Sequence, residues 1–222
     1  MKHDDYKAAR RSMVHNQLER RDIRDLRVLD AFRRVPRECF VREEDVDRAY
    51  DDRPIPIGYG QTISQPYMVA LMTQCLELTG TEKVLEVGTG SGYQAAVLCE
   101  LAADVYSIER HEPLSERAAM TLQYRGYTNF TLRRGDGTLG WPEQAPFDRI
   151  IVTAAAPQVP PSLLRQLADD GILVIPVGPV GMQMLKVIRR HAGATSDEDV
   201  CSCVFVKLIG HEGYHDDGPA DV

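Results

Sequence analysis

Val84-Leu85-Glu86-Val87-Gly88-Thr89-Gly90-Ser91-Gly92-Tyr93 is the stretch that decides how this chain is read. Val84 to Val87 is a short apolar run with the character of a buried strand. Glycines follow at 88, 90 and 92, and a helical apolar pattern begins at Gln94 and runs to Leu101. A strand, a glycine turn and a helix start together predict a pocket of the nucleotide-binding kind. Gly88, Gly90 and Gly92 let the backbone turn sharply and come close to a ligand, because no Cβ stands in the way. The spacing is G-x-G-x-G. A dinucleotide fingerprint needs glycine at its sixth position, and here that position is Tyr93.

Glu86, just ahead of the glycines, is of little use to a pyrophosphate. It suits a cofactor with a cationic amino-acid end, and S-adenosyl-L-methionine is one. An ordinary glycine-rich turn in an α/β protein is the competing reading of this motif alone. Two further acids bear on the choice. Asp104 to Glu109 reads as a strand that ends in Glu109, about 20 residues beyond the glycines, where a carboxylate can accept both ribose hydroxyls. Phe130 to Arg134 reads as another strand, followed by Gly135-Asp136-Gly137. At the carboxyl end of a sheet, Asp136 can accept a hydrogen bond from an adenine amino group. Any one of these acids is an ordinary strand-end residue; three in order are harder to set aside.

The chain has 222 residues, 43% of them hydrophobic, enough for one sizeable domain. The net charge is −7, and His211 to Val222 holds four acids and no Lys or Arg. The remaining body is therefore nearly neutral, which argues against a nucleic-acid or membrane-surface partner. No apolar run is long enough to span a membrane and no signal-peptide pattern opens the chain, so a cytoplasmic protein is expected. Five scattered cysteines make a poor disulfide framework, and although Cys201-Ser202-Cys203 is a C-x-C, no second Cys or His pair sits at metal-ligand spacing, so no metal is expected.

Residues 1–60 are expected to form a helical cap. Val28, Leu29, Phe32 and Val35 share one helical face, Asp25 can cap its start and Pro36 ends it. The prolines and glycines of 53–60 predict a shaped loop. Gln61-Thr62-Ile63-Ser64-Gln65-Pro66 then leads into an apolar helix over 68–78. Ser64 can cap that helix or face the pocket. Further helices are predicted over 113–125 and 160–170. Strands are predicted over 147–152, 172–177, 182–188 and 201–209, with a polar loop at 191–200. The pattern is α/β: a mostly parallel sheet with an antiparallel edge.

The stretches Gly60 to Pro66, Val84 to Tyr93, Gly135-Asp136-Gly137, Thr153 to Pro157 and Leu167 to Gly178 resemble the protein-L-isoaspartate O-methyltransferase family. The resemblance runs from about Met13 to Gly210. It implies a Rossmann-like class I methyltransferase with a seven-stranded sheet, an N-terminal cap over 1–60 and a cofactor-binding core over 61–210. It implies S-adenosyl-L-methionine as methyl donor, S-adenosyl-L-homocysteine as product, and isoaspartyl proteins and peptides as substrates of a monomeric enzyme. It makes Ser64 the active-site serine. Gln61, Thr62, Ile63 and Ser64 would help to hold the cofactor together with Glu86, Gly88, Gly90, Gly92, Glu109, Asp136 and Gly137. Lys207 replaces a proline common in the family. His211 to Val222 has no clear counterpart and reads as a disordered acidic tail. A methyltransferase for another carboxylate, or a binding module without activity, would keep the same cofactor motif.

Overall fold

Val84 to Val87 lie in the middle of a seven-stranded sheet. The computed structural model describes residues 3–215. A small hairpin, β1 (Ile55–Gly58) and β2 (Gln61–Ile63), precedes the main sheet. The main strands are β3 (Lys83–Val87), β4 (Asp104–Glu109), β5 (Phe130–Arg134), β6 (Phe147–Val152), β7 (Leu167–Val177), β8 (Gln183–His191) and β9 (Ala194–Cys203). Their spatial order is β5-β4-β3-β6-β7-β8-β9. The first five are parallel, and β8 and β9 add antiparallel to β7. The helices are α1 (His3–Met13), α2 (Leu26–Arg34), α3 (Pro66–Cys75), α4 (Tyr93–Cys99), α5 (Glu112–Tyr124) and α6 (Pro161–Gln166).

Strand alternation splits the core into two layers. Leu85 and Val87 point into an apolar cluster with Ile108, Phe147, Ile150 and Val152. Val84 points the other way, into a larger cluster with Val105, the α4 side chains and the N-terminal helices. Each large side chain fully buried in these layers contributes roughly 1.5–3 kcal/mol. Glu86 lies on the Val84 face and is completely buried. The chain leaves β3 toward β4 on one side, and β6 flanks it on the other. That reversal opens a crevice beyond the carboxyl ends of β3, β4 and β6.

Several local expectations hold. Asp25 caps α2 by accepting from the Arg27 and Val28 amides, and Val28, Leu29, Phe32 and Val35 are all buried. Pro66 occupies the first turn of α3, where its missing N–H costs nothing. Others are corrected. Residues 53–60 are not an irregular loop throughout, because Ile55–Gly58 pairs with Gln61–Ile63. The helix expected over 160–170 stops at Gln166, and Leu167 already pairs with Phe147 of β6. The ladder shifts register just beyond that pair, near Asp170 at φ 59, so β7 carries a bulge that hides its start from pattern reading. The expected polar loop at 191–200 is mostly β9. That strand is an exposed edge, and Ser196 to Asp199 carry the polarity that misled the reading.

Candidate active site

Two cavities adjoin at the crevice. One is lined by Thr62, Ile63, Ser64, Val69, Met72, Gly88 to Ser91, Tyr93, Gln94 and Thr153. The other is lined by Pro54, Thr62, Ser64, Gln65, Met68, Thr153 and Val204 to Val206. Thr62, Ser64 and Thr153 belong to both. The two cavities therefore adjoin at these three residues.

Ser64 follows β2 directly, and Gln65, not Ser64, is the cap residue of α3; no side-chain capping bond is made. The capping role considered from sequence is thus not the one Ser64 has. Its backbone carbonyl accepts from Arg37 Nη2 at 2.8 Å, while Arg37 Nε donates to the Ala49 carbonyl at 2.7 Å. Arg37 is wholly buried with its guanidinium over the Tyr93 ring, so the N-terminal cap holds the serine loop from behind. Nothing in the sequence singled out Arg37, and Thr153 entered only as the first residue of the Thr153 to Pro157 stretch, with no bond assigned to it. Thr153 Oγ1 donates to the Gly88 carbonyl at 2.6 Å and fills the space a Cβ on Gly88 would need.

The glycine turn has its expected course but a different use of its missing side chains. Gly88, Gly90 and Gly92 all have positive φ, of 96°, 54° and 84°. A Cβ on Gly92 would press on Ala118 of α5, and one on Gly90 would face Ile57 of β1. Ile57 therefore lays the β1–β2 hairpin across the turn. At its tip Tyr59 stacks on His111, with ring centroids 5.4 Å apart. Gln61 closes its own tip, donating from Nε2 to the Tyr59 carbonyl at 3.2 Å.

Glu109 sits at the end of β4 beside this turn. One carboxylate oxygen accepts from Gly90 N at 2.8 Å and the other from His111 N at 2.9 Å. A carboxylate has about four acceptor sites, so two remain for a pair of vicinal hydroxyls. Glu86 is elsewhere. It does not line the pocket; its Oε2 accepts from Ser107 Oγ, and its Oε1 has no partner. Burial pushes its pKa up to about 8.

The profile of the family described as protein-L-isoaspartate(D-aspartate) O-methyltransferase matches residues 8–213. The chain belongs to this family. A protein-L-isoaspartate O-methyltransferase 2 of Geotalea uraniireducens is 56% identical over 93% of this chain and 95% of its own length. A protein-L-isoaspartate O-methyltransferase of Syntrophotalea carbinolica is 52% identical, over 96% of this chain and 99% of its own length. A solved protein-L-isoaspartate O-methyltransferase superposes with a TM-score of 0.83 at 26% identity, over 92% of this chain and 67% of that one. A Plasmodium falciparum β-aspartate methyltransferase, solved with S-adenosyl-L-homocysteine, has a TM-score of 0.78 at 25% identity, over 92% and 98%.

In this methyltransferase Asp136 does more than line a strand end. Its Oδ1 accepts from Thr138 N and Thr138 Oγ1, and its Oδ2 accepts from His211 N at 2.7 Å. Three of its four acceptor sites are occupied, leaving one for an adenine amino group. Gly210 must be glycine at this spot, since a Cβ would lie 2.0 Å from Asp136 Oδ1. Gly137 packs as tightly against Val87. The boundary expected at Gly210 is therefore too early. Glu212 accepts from Ser162 N and Oγ, both at 2.7 Å, and Tyr214 OH donates to the Gly178 carbonyl. His211–Tyr214 is docked chain; the rest of the expected tail, from 216 on, lies outside the described residues. Among the described residues no helix is long and apolar enough to cross a membrane.

Proposed function

We propose that this chain moves the methyl group of S-adenosyl-L-methionine to the free carboxylate of L-isoaspartyl residues in damaged proteins and peptides. S-adenosyl-L-homocysteine is the second product. The methyl ester then loses methanol to the neighbouring backbone nitrogen, giving a succinimide that hydrolyses in part to aspartate. The observation that carries the assignment of the site is the sharing of Ser64, Thr62 and Thr153 by two adjoining cavities. One cavity holds the donor, the other the acceptor peptide.

The residues fit the cofactor. The two open acceptor sites on Glu109 match the two ribose hydroxyls, and the open site on Asp136 matches the adenine amino group. Gly88, Gly90, Gly92 and Gly137 shape the backbone around it, and Gln61, Thr62 and Ile63 close over it from the hairpin. When bound, the cofactor supplies a methyl group already activated by a sulfonium sulfur. The acceptor carboxylate is ionised at neutral pH, with an ordinary pKa of about 4, so no side chain has to remove a proton. Ser64 donates a hydrogen bond that aims this carboxylate, and the apolar wall of Met68, Phe205 and Val206 keeps water away. Positioning of this kind supplies up to roughly 7–11 kcal/mol of rate enhancement. The nearly neutral body supports a cytoplasmic enzyme that uses neither nucleic acid nor membrane.

Labelled methyl transfer to an isoaspartyl peptide, set against the same peptide with aspartate, tests the substrate. Equal labelling of both would sink the repair reading. Ser64→Ala should bind S-adenosyl-L-methionine as wild type does and lose about 100-fold or more in kcat/KM, roughly 2.7 kcal/mol. Ser64→Thr should keep part of the activity. Full activity in Ser64→Ala would remove the serine from the reaction.

A further inference from the structure

Val204 lines the cavity assigned to the acceptor peptide, yet it is 74% exposed. It carries the apolar wall of Phe205 and Val206 out to the surface. Two more exposed apolar residues stand beside it. Gln183 of β8 pairs with Cys203 of β9, so one step further along the same register Met182 stands opposite Val204. Met182 is 74% exposed, and Val180, two residues earlier, is 61% exposed.

One buried side chain fixes this arrangement. Gln183 Nε2 donates to the Pro179 carbonyl at 2.8 Å, and its Oε1 accepts from Phe205 N at 3.0 Å. The same Pro179 carbonyl accepts from Met182 N at 3.0 Å and closes the turn that holds Val180. Gln183 therefore ties the Pro179–Met182 turn to the segment that walls the cavity. No residue from Gly178 to Gln183 or from Val204 to Val206 carries a charge. The shelf has no cation for an anionic headgroup and no charge for an ionic partner. What it offers is apolar area, and apolar area continuous with the mouth of a substrate cavity marks where more of that substrate lies.

We propose that Val180, Met182 and Val204 form a specificity shelf for the acceptor polypeptide, which takes an apolar side chain on one flank of the isoaspartyl residue. This inference rests on the acceptor assignment made above. Neighbouring strands lie about 5 Å apart, and an extended peptide advances about 3.3 Å per residue. A chain leaving the cavity past Val204 thus reaches Met182 within two to three residues. The shelf is remote from the reacting atoms, so it holds ground state and transition state alike and acts on KM, not on kcat.

Isoaspartyl peptides of one Gly/Ser parent sequence, with a single leucine placed in turn at each of the three positions on either side, test this with the full chain. Leucine on one flank should lower KM about tenfold, equivalent to about 1.4 kcal/mol, with kcat kept within twofold. The double variant Val180→Ser, Met182→Ser should lose that gain and still methylate the leucine-free parent within twofold of wild type. Met182→Leu should keep the gain, and melting temperatures report folding. Sedimentation should give wild type and the double variant the same mass. No gain from leucine, an equal gain on both flanks, a gain that survives in the double variant, or a wild-type dimer that the double variant lacks would each overturn the proposal. Failure of wild type to methylate any of these peptides would instead overturn the acceptor assignment.

Discussion

Two hairpins in this molecule are built on the same turn and do opposite things. In the first, Gly58 pairs with Gln61 across Tyr59-Gly60, at φ 54° and 66°. In the second, His191 pairs with Ala194 across Ala192-Gly193, at φ 49° and 77°. Both are two-residue turns with left-handed central residues, the geometry whose twist suits antiparallel strands. The first buries Ile55, Ile57 and Ile63, lies across the glycine turn and delivers Ser64. The second ends in solvent, and Lys186 of β8 pairs with Asp197 and Asp199 of β9 at the sheet edge. Turn chemistry makes a hairpin; what its strands bury decides whether it can hold a site.

That contrast can be broken at the turns themselves. Gly60→Val forces a β-branched residue into the left-handed region, at a cost of about 1–3 kcal/mol. Because this hairpin carries Gln61 to Ser64, isoaspartyl methyl transfer should fall more than tenfold and cofactor affinity should fall with it. Initial rates and calorimetry on folded protein decide; an unchanged rate would mean the hairpin tip is irrelevant to the serine. Gly193→Val imposes the same strain at φ 77°. A thermal melt should show a loss of about 2–6 °C, with kcat/KM kept within twofold. A comparable loss of activity there would erase the distinction between the hairpins.

The smallest effect should come from His191, which flanks the turn of the second hairpin. A hydrogen bond from its ring to Asp170 raises its pKa, and both side chains are largely exposed. A raised histidine stabilises the fold fully below its ordinary pKa of about 6.5 and loses that contribution as pH rises through the higher folded value. Solvent screening keeps it small. Melting curves of wild type and His191→Asn from pH 6 to 8 should differ by about 1 °C or less, wild type declining slightly more. A larger gap would mean that this edge is coupled to the core.

The same pair of hairpins marks where sequence reading succeeds and fails. The strands β3, β4 and β6 are legible because their apolar runs are buried on both faces, and β5, a half-exposed edge, because Phe130 and Leu132 alternate with Thr131 and Arg133. The hairpins are not. Pro54, Pro56, Gly58 and Gly60 look like loop punctuation, yet Ile55 and Ile57 alternate inward on a short strand. Ser196 to Asp199 look like a solvated loop because nothing covers the outer edge they form. At the site, the place of Glu109 at the end of β4 was legible from spacing, and the interest of Ser64 came from the family resemblance. The contacts of Arg37 and Thr153 were not, since they join segments far apart in the chain. Asp136 was read as an adenine partner, but its second duty, to His211, is invisible without the fold.

That bond to His211 has a mechanical consequence. The bonds that seat 211–214 join residues 75, 74 and 50 positions apart. They run to Asp136 and Thr138 in the turn after β5 and to Ser162 in the first turn of α6. The segment is a clasp that ties those two places together, and the carboxylate of Asp136 is held from two distant parts of the chain at once.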